Sequence, residues 1–455
     1  MPRKATRRHR PIQDRAKQTK AHIARTAALL FGERGIEATS MNRIATQAGV
    51  GIGTVYRYFP DRAALVDELL ESLLQNVEEI VTQRIFGVAQ LSPEELFTAI
   101  LGAASDELMN NVELIRALTA SVQFHDSGLS EFERRLRLLF KVAVIQILGP
   151  GDDHTYDIMC IVLINTGFAA VLRSATLEIA DRKRAEILTI TARAMAEWIE
   201  AERSAQVDGS SLDVRAQPSS PNGREWTAPR VPSVDQITEQ KRSVPNAAVD
   251  GRRVPRQERA MLTREHILDT AAQLFTERGI ANTSTNRIAA EAGVSIGTLY
   301  RYFADRTVIV QELIQRLMAS GEKHFRQSVL DRDGETILEV ATIALEVMTD
   351  EIMSNAGLVR ALVAGAQYYS SGISEFEPRL LEVSTNLVSH AFGDGDELLH
   401  DAMATAMVNT TFAAVLRAAT LDSDSGDHRE VAQMTARLIA AAAQAELAAR
   451  HPPAR

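Results

Sequence analysis

Hydrophobic and polar positions alternate along this chain with the period of an α-helix. In TKAHIARTAALLFGERG (19–35), Ile23, Ala27, Leu30 and Phe31 fall at i, i+4, i+7 and i+8, which is one face of a helix, and Gly35 supplies its stop. Strand-like alternation of useful length is absent, so an all-α fold is expected. Ser130 followed by Glu133, and Ser374 followed by Glu377, read as capping boxes that open helices. Pro150-Gly151-Asp152-Asp153 and Gly393-Asp394-Gly395-Asp396 punctuate the next breaks. Stretches 155–177 and 182–203 are apolar on more than one side, which predicts burial against other helices or another protomer.

The chain repeats itself once. LFGERGI (30–36) recurs as LFTERGI (274–280), and NRIATQAGVGIGTVYRYFPDR (42–62) as NRIAAEAGVSIGTLYRYFADR (286–306). SGLSEFERRL (127–136) recurs as SGISEFEPRL (371–380), and NTGFAAVLRSATL (165–177) as NTTFAAVLRAATL (409–421). All share one offset of 244 residues, so a whole unit is duplicated, with a period far above that of a solenoid. Between the copies, residues 204–255 are rich in Pro, Ser and Gly and lack helical periodicity, as a flexible linker does. About 50 residues of such coil span about 35–42 Å.

Length and composition narrow the class. At 455 residues the chain is too long for one ordinary domain. Its single cysteine, Cys160, excludes an intrachain disulfide and a cysteine zinc cage. No uninterrupted apolar run approaches the roughly 18 residues of a membrane helix, and no apolar region follows the basic start MPRKATRRHRP. A cytoplasmic protein without a membrane partner is the expectation. The formal net charge is −9, yet residues 1–62 carry 13 Lys and Arg against 4 Asp and Glu, and residues 250–306 carry 9 against 7. Basic segments set in an acidic body suit an anionic partner held at defined places.

Residues 39–62 carry the chemistry. Thr39 and Ser40 are placed to cap a short helix on which Ile44 and Ala45 face inward. Ala48-Gly49-Val50 forms a tight turn: a small residue for close approach, Gly for the turn, Val for the core. On the next short helix Val55 and Phe59 point to the core. Thr54 and Tyr58 share another face, with Tyr56 nearby. A small, hydroxylated, aromatic face suits phosphates and base edges in a major groove. Pro60-Asp61 then opens a longer third helix. This is helix-turn-helix chemistry.

The segment resembles the DNA-binding head of TetR-family transcriptional regulators, in both copies. The resemblance rests on Phe31, Arg34-Gly35, Thr39, Ile44-Ala45, Ala48-Gly49-Val50, Gly53 through Phe59 and Arg62, and on their counterparts from Phe275 to Arg306. It covers some 45–50 residues per copy; the helical remainder matches only by class. It implies DNA contacts from Met41, Asn42, Arg43, Ile52, Gly53, Thr54, Tyr56 and Tyr58, with Arg62 gripping the backbone. In the second copy these roles fall on Thr285, Asn286, Arg287, Ser295, Ile296, Gly297, Thr298, Tyr300, Tyr302 and Arg306. Two positions depart between the copies: Met41 corresponds to Thr285, and Gly51 to Ser295, whose hydroxyl is able to reach a phosphate. The basic residues Arg3, Lys4, Arg7, Arg8 and Arg10, and Arg252, Arg253, Arg256 and Arg259, form arms ahead of the heads, suited to a minor groove or to phosphates.

The resemblance further implies a double-stranded DNA operator as partner, a two-fold arrangement and a small-molecule inducer held in the bodies. With both heads on one chain, an intrachain pseudo-dimer follows, reading half-sites about 34–36 Å apart; further dimerisation of chains stays open. The expected division is a basic arm (1–18), head one (19–65), body one (66–203), linker (204–258), head two (259–309) and body two (310–450). Polar residues recurring on otherwise apolar helices are the ligand-contact candidates: Arg116, Gln123 and Asn165, with Arg360, Gln367 and Asn409; Arg173 and Arg417 recur likewise. For each, a buried hydrogen-bond or interface partner is the favoured reading and a ligand contact the alternative.

Rival chemistries find less support. The glycines of Gly49-Val50-Gly51-Ile52-Gly53 lack a preceding strand and a following Gly-Lys-Ser/Thr. Asp152-Asp153-His154 is not reproduced in copy two, and no catalytic or metal-ligand motif is found among the ten histidines. A non-enzymatic protein without cofactor is expected. The other reading is a helical ligand- or protein-binding module in which one or both heads have lost DNA recognition.

Overall fold

The computed structural model describes residues 10–87, 91–119, 129–176, 179–207, 254–329, 336–364, 373–393, 395–420 and 427–450. Every regular element among them is a helix. The first copy comprises α1 (Arg10–Arg34), α2 (Met41–Gln47), α3 (Ile52–Tyr58), α4 (Arg62–Gly87), α5 (Pro93–Asn110), α6 (Val112–Thr119), α7 (Leu129–Leu148), α8 (Asp153–Thr176) and α9 (Asp181–Val207). The second comprises α10 (Val254–Arg278), α11 (Thr285–Glu291), α12 (Ile296–Tyr302), α13 (Arg306–Val329), α14 (Ile337–Ser354), α15 (Ala356–Ala364), α16 (Ile373–Phe392), α17 (Glu397–Thr420) and α18 (Asp427–Arg450). Most of the expected linker, 208–253, lies outside the described residues, as do Arg3, Lys4, Arg7, Arg8, Arg252 and Arg253.

Each head closes around one apolar cluster. Ile23, Ala27, Phe31, Ile44, Val55, Phe59 and Leu65 are at most 1% exposed, so α1, α2, α3 and the start of α4 share a core. The second head repeats it with Ile267, Ala271, Phe275, Ile288, Leu299, Phe303 and Ile309. Gly35 and Gly279 end α1 and α10 at positive φ, the conformation glycine adopts without strain. The expected boundaries between arm and head, and between linker and second head, fall inside α1 and α10. No glycine or proline interrupts the sequence between Pro11 and Phe31, so the helix runs on from its first turn, where proline is tolerated.

Two helix starts differ from the sequence reading. Ser130 and Ser374 are the second residues of α7 and α16, inside the helix rather than at its cap. The capping boxes are instead Ser92 with Glu95, opening α5, and Thr336 with Glu339, opening α14. Each serine or threonine accepts from the third helical N–H, and the glutamate accepts back from the cap N–H.

In the bodies, α8 is buried along nearly its whole length, from Tyr156 to Ala175. Contrary to the expectation from uninterrupted runs, it has the length and apolar character of a membrane span; most of that stretch is buried within the protein. Its partners explain why it is apolar all round: α5 and α7 flank it in its own body, and α17 and α18 pack on it from the other copy. With α9, these helices join the two bodies. Arg193 pairs with Glu446 at 3.0 Å, and Arg437 pairs with Glu202. Under the 244-residue offset these pairs are each other's images, the signature of a two-fold contact in which residue i meets j and j meets i.

Head and body meet where α1 packs on α6 and α10 on α15. The contact is complementary in opposite senses. A Cβ on Gly32 would lie 2.7 Å from the Cβ of Glu113. At the corresponding positions of copy two the small residue has moved to the other helix: Thr276 packs against Gly357. Gly32→Thr alone is therefore expected to cost about 1–3 kcal/mol through overpacking. Adding Glu113→Gly recreates the second copy's arrangement and restores most of that loss in urea denaturation. Additive losses would mean that the two positions do not share one contact.

Candidate nucleic-acid interface

The turn of each head is set by backbone and by one buried hydroxyl. Gly49 and Gly293 sit at φ 64° and 65°, which other residues adopt only with strain. Ser40 caps α2, accepting from the Arg43 N–H. Thr39, expected to share that role, is fully buried; its hydroxyl reaches the carbonyls of Leu30 and Gly35 at 3.2 and 2.9 Å. Thr283 repeats this at Leu274 and Gly279. The residue thus fixes the loop between α1 and α2 rather than a helix end.

With Val55 and Phe59 inward, α3 turns its remaining residues outward. Ile52, Gly53 and Arg57 are exposed, Tyr56 is 50% exposed, and Thr54 and Tyr58 lie half-buried. Asn42 and Arg43 are exposed on α2, with Met41 half-buried. The second head matches: Asn286, Arg287, Ile296, Gly297 and Tyr300 are exposed, and Thr285, Thr298 and Tyr302 half-buried. The contact residues read from the sequence on α2 and α3, and again on α11 and α12, are thus all exposed or half-buried. Arg57 and Arg301, which the sequence reading passed over, join them. Each guanidinium lies over the neighbouring ring, Tyr58 at 5.0 Å or Tyr302 at 5.1 Å. A cation two residues before the inward Phe, and so off the core face, is the sequence signal that marks it.

Two assignments change. The Arg62 Nη1 donates to the carbonyls of Ile36 and Glu37 at 3.0 and 2.9 Å, and its other Nη group pairs with the Glu37 carboxylate. Arg306 donates to Ile280, Ala281 and Thr283. These guanidiniums tie α4 and α13 to the loop before the turn motif. Ser295, expected to offer its hydroxyl to phosphate, caps α12 by accepting from the Thr298 N–H and contacts the Thr298 hydroxyl at 2.8 Å. Gly51 makes no such cap. Thr285 also bonds Tyr300 at 3.1 Å; the corresponding residues of the first head are Met41, which has no hydroxyl, and Tyr56. The second reading surface is therefore more tied to itself than the first.

A second tie joins α1 to α4 in both heads. Lys20 pairs with Glu68 at 2.6 Å and lies 5.6 Å from the Phe59 ring centre. Arg264 pairs with Glu312 and lies 5.5 Å from the Phe303 ring centre.

Among the described residues, the ligand candidates sit on four helices, α6, α8, α15 and α17. Arg116 is paired with Glu113 on the surface of α6, and Arg360 is exposed. Gln123 and Gln367 lie outside the described residues. Asn409 is buried between the copies, where it accepts from the Arg173 Nε. The mirror contact is not made: Arg417 pairs with Glu133 at 2.6 Å while its Nε stays without an acceptor, and the Asn165 Nδ2, also a donor, is buried without a partner as well. These polar residues serve the contact between bodies because that contact runs along α8 and α17, where they sit. Asp152, Asp153 and His154 likewise disperse, to the Thr155 N–H, Lys141 and Glu430 respectively.

Two matching heads, each with a short helix presenting hydroxyls, aromatic rings and cations from a buried footing, define a pair of helix-turn-helix domains. The family model of bacterial regulatory proteins, tetR family, matches residues 23–69 and again 267–313. An HTH-type transcriptional regulator of Staphylococcus aureus strain USA300 is 35% identical over 102 residues, 22% of this chain and 54% of the relative. One from strain MRSA252 is 34% identical over the same length and shares. The chain spans about half the length of these curated relatives. Among solved structures, a TetR-family regulator from Mesorhizobium loti aligns with 41% of this chain and 97% of its own at 21% identity and TM-score 0.35. One from Streptomyces coelicolor aligns with 50% and 96%, at 16% and 0.35. The chain thus carries the DNA-binding domain of the TetR family twice, at residues 23–69 and 267–313.

Proposed function

We propose that this chain is a cytoplasmic transcriptional repressor that reads a near-palindromic operator as a single-chain pseudo-dimer and releases it when a small molecule binds a body. The observation that carries the reading is the reciprocal pair of contacts, Arg193 with Glu446 and Arg437 with Glu202, which joins two complete head-and-body units within one chain. A DNA reader with two-fold symmetry mirrors the symmetry of its site. Base and phosphate contacts are assigned to Asn42, Arg43, Thr54, Tyr56 and Arg57 and to their counterparts. Asn286, Arg287, Thr298, Tyr300 and Arg301 take the second half-site. The head–body contacts at Gly32 and at Gly357 are the route by which a change in a body would alter the spacing of the heads.

Selecting bound sequences from random duplex DNA with the intact chain at physiological salt tests this. The expected product is a near-palindrome with half-sites about one helical turn, roughly 34–36 Å, apart, bound by a species of about 50 kDa. A single half-site would mean that one head is silent, and no enrichment would return the chain to the class of interaction modules.

A further inference from the structure

The two copies differ where their bodies are hollow. The first body has a cavity of about 70 Å³ among α4, α5, α7 and α8. The second has one of about 140 Å³ among α13, α14, α16 and α17. The duplication explains the difference. Phe97, Ile100, Phe140 and Ile147 fill or abut the first core; their counterparts lining the second cavity are Ala341, Ala344, Ser384 and Ala391. Some replacements run the other way, Ala104 to Met348, Ala143 to Leu387 and Gly167 to Thr411. They narrow the space without closing it, and Thr411 adds a hydroxyl to its wall. An unfilled core destabilises a helical body. A space opened at four positions that the duplicate fills is therefore suited to an occupant.

We propose that the second body is the ligand site of this chain and that the first is its filled, fixed partner. The occupant is a compact, neutral, single-ring molecule with one hydroxyl or carbonyl group. Size sets the first part: an apolar cavity of roughly 150 Å³ holds a benzene-sized molecule. Neutrality follows because no ionisable side chain among the described residues lines the cavity, and an unpaired charge there would lose its hydration without return. The single polar group follows from Ser384 and Thr411, the two hydroxyls on an otherwise apolar wall. This deepens the ligand-responsive reading above and rests on it only for its consequence at DNA.

The test is calorimetric titration of the full chain with p-cresol, and with toluene for comparison. One p-cresol site per chain is expected, with weaker binding of toluene. Ala344→Ile and Ala391→Ile each restore the first copy's residue and should weaken p-cresol binding at least tenfold. Ala104→Met, which fills the first cavity, should leave it unchanged. Melting curves establish that each variant is folded, and either second-body variant alone suffices. Absence of p-cresol binding overturns the proposal, as does binding lost in Ala104→Met but kept in both second-body variants. Binding that follows the expected pattern yet leaves operator affinity unchanged upholds the site and removes the ligand-responsive reading instead.

Discussion

Replacing Arg437 by Met destabilises the chain by about 3–5 kcal/mol, because it leaves Glu202 buried without its cation. Glu202 is 3% exposed, with Arg437 and the Trp198 indole N–H as its partners. Burial already pushes its carboxyl above the ordinary range, against the opposing pull of Arg437 and Trp198. Removing Arg437 raises it further. A carboxyl whose folded pKa exceeds its unfolded one takes up protons on folding, so stability falls as pH rises through the folded value. The deficit of Arg437→Met is therefore larger at pH 8 than at pH 5. Chemical denaturation at the two pH values measures it, and equal deficits would mean that Glu202 is solvated in the variant. Changing Glu202 to Met as well should recover much of the loss, since a buried pair is often replaceable by apolar residues. The mirror change, Arg193→Met, should cost less than about 1 kcal/mol, because Arg193 is more than a third exposed and water already screens its pair with Glu446.

Phe59→Ala is the second large effect. Its ring is 1% exposed at the centre of the first head, and such a truncation costs about 3–5 kcal/mol. The ring anchors the short helices α2 and α3 to the core of the head, so the expected loss is local unfolding of α2 and α3 rather than weakening of the whole chain. Affinity for a two-half-site operator should fall to that for a single half-site, with a shallower dependence on salt because fewer phosphates are neutralised. Phe303→Ala should do the same at the other half-site. Binding isotherms over a range of salt concentrations check both. Intact affinity in both variants would mean that DNA is not read by these helices.

The heads were legible because their code is local. Gly35, Ala48-Gly49-Val50, and Val55 with Phe59 each act within a few residues, through a positive φ, a close approach or an i, i+4 face. Reading them in order recovers the motif, and the duplication displays it twice. Arg62, Thr39 and Ser295 carry donors and acceptors whose partners depend on how the chain returns. Arg62 looks from the sequence like a free cation at a helix start, but folding brings the carbonyls of Ile36 and Glu37 within its reach. Asn409 and Arg173 look like polar residues in a ligand pocket until α8 and α17 are packed together.

By itself, then, the sequence determined the all-helical class, the duplication, the two reading helices and the inward face of each. All of these follow from short-range periodicity and backbone preference. Only the tertiary structure decided the rest: that α8 is apolar all round because the other copy covers it, that Glu202 and Arg437 meet across 235 residues, and that the cavity of the second body is about twice that of the first. The physical reason is that burial and pairing belong to the surfaces helices share, and residues distant in sequence build each of those surfaces.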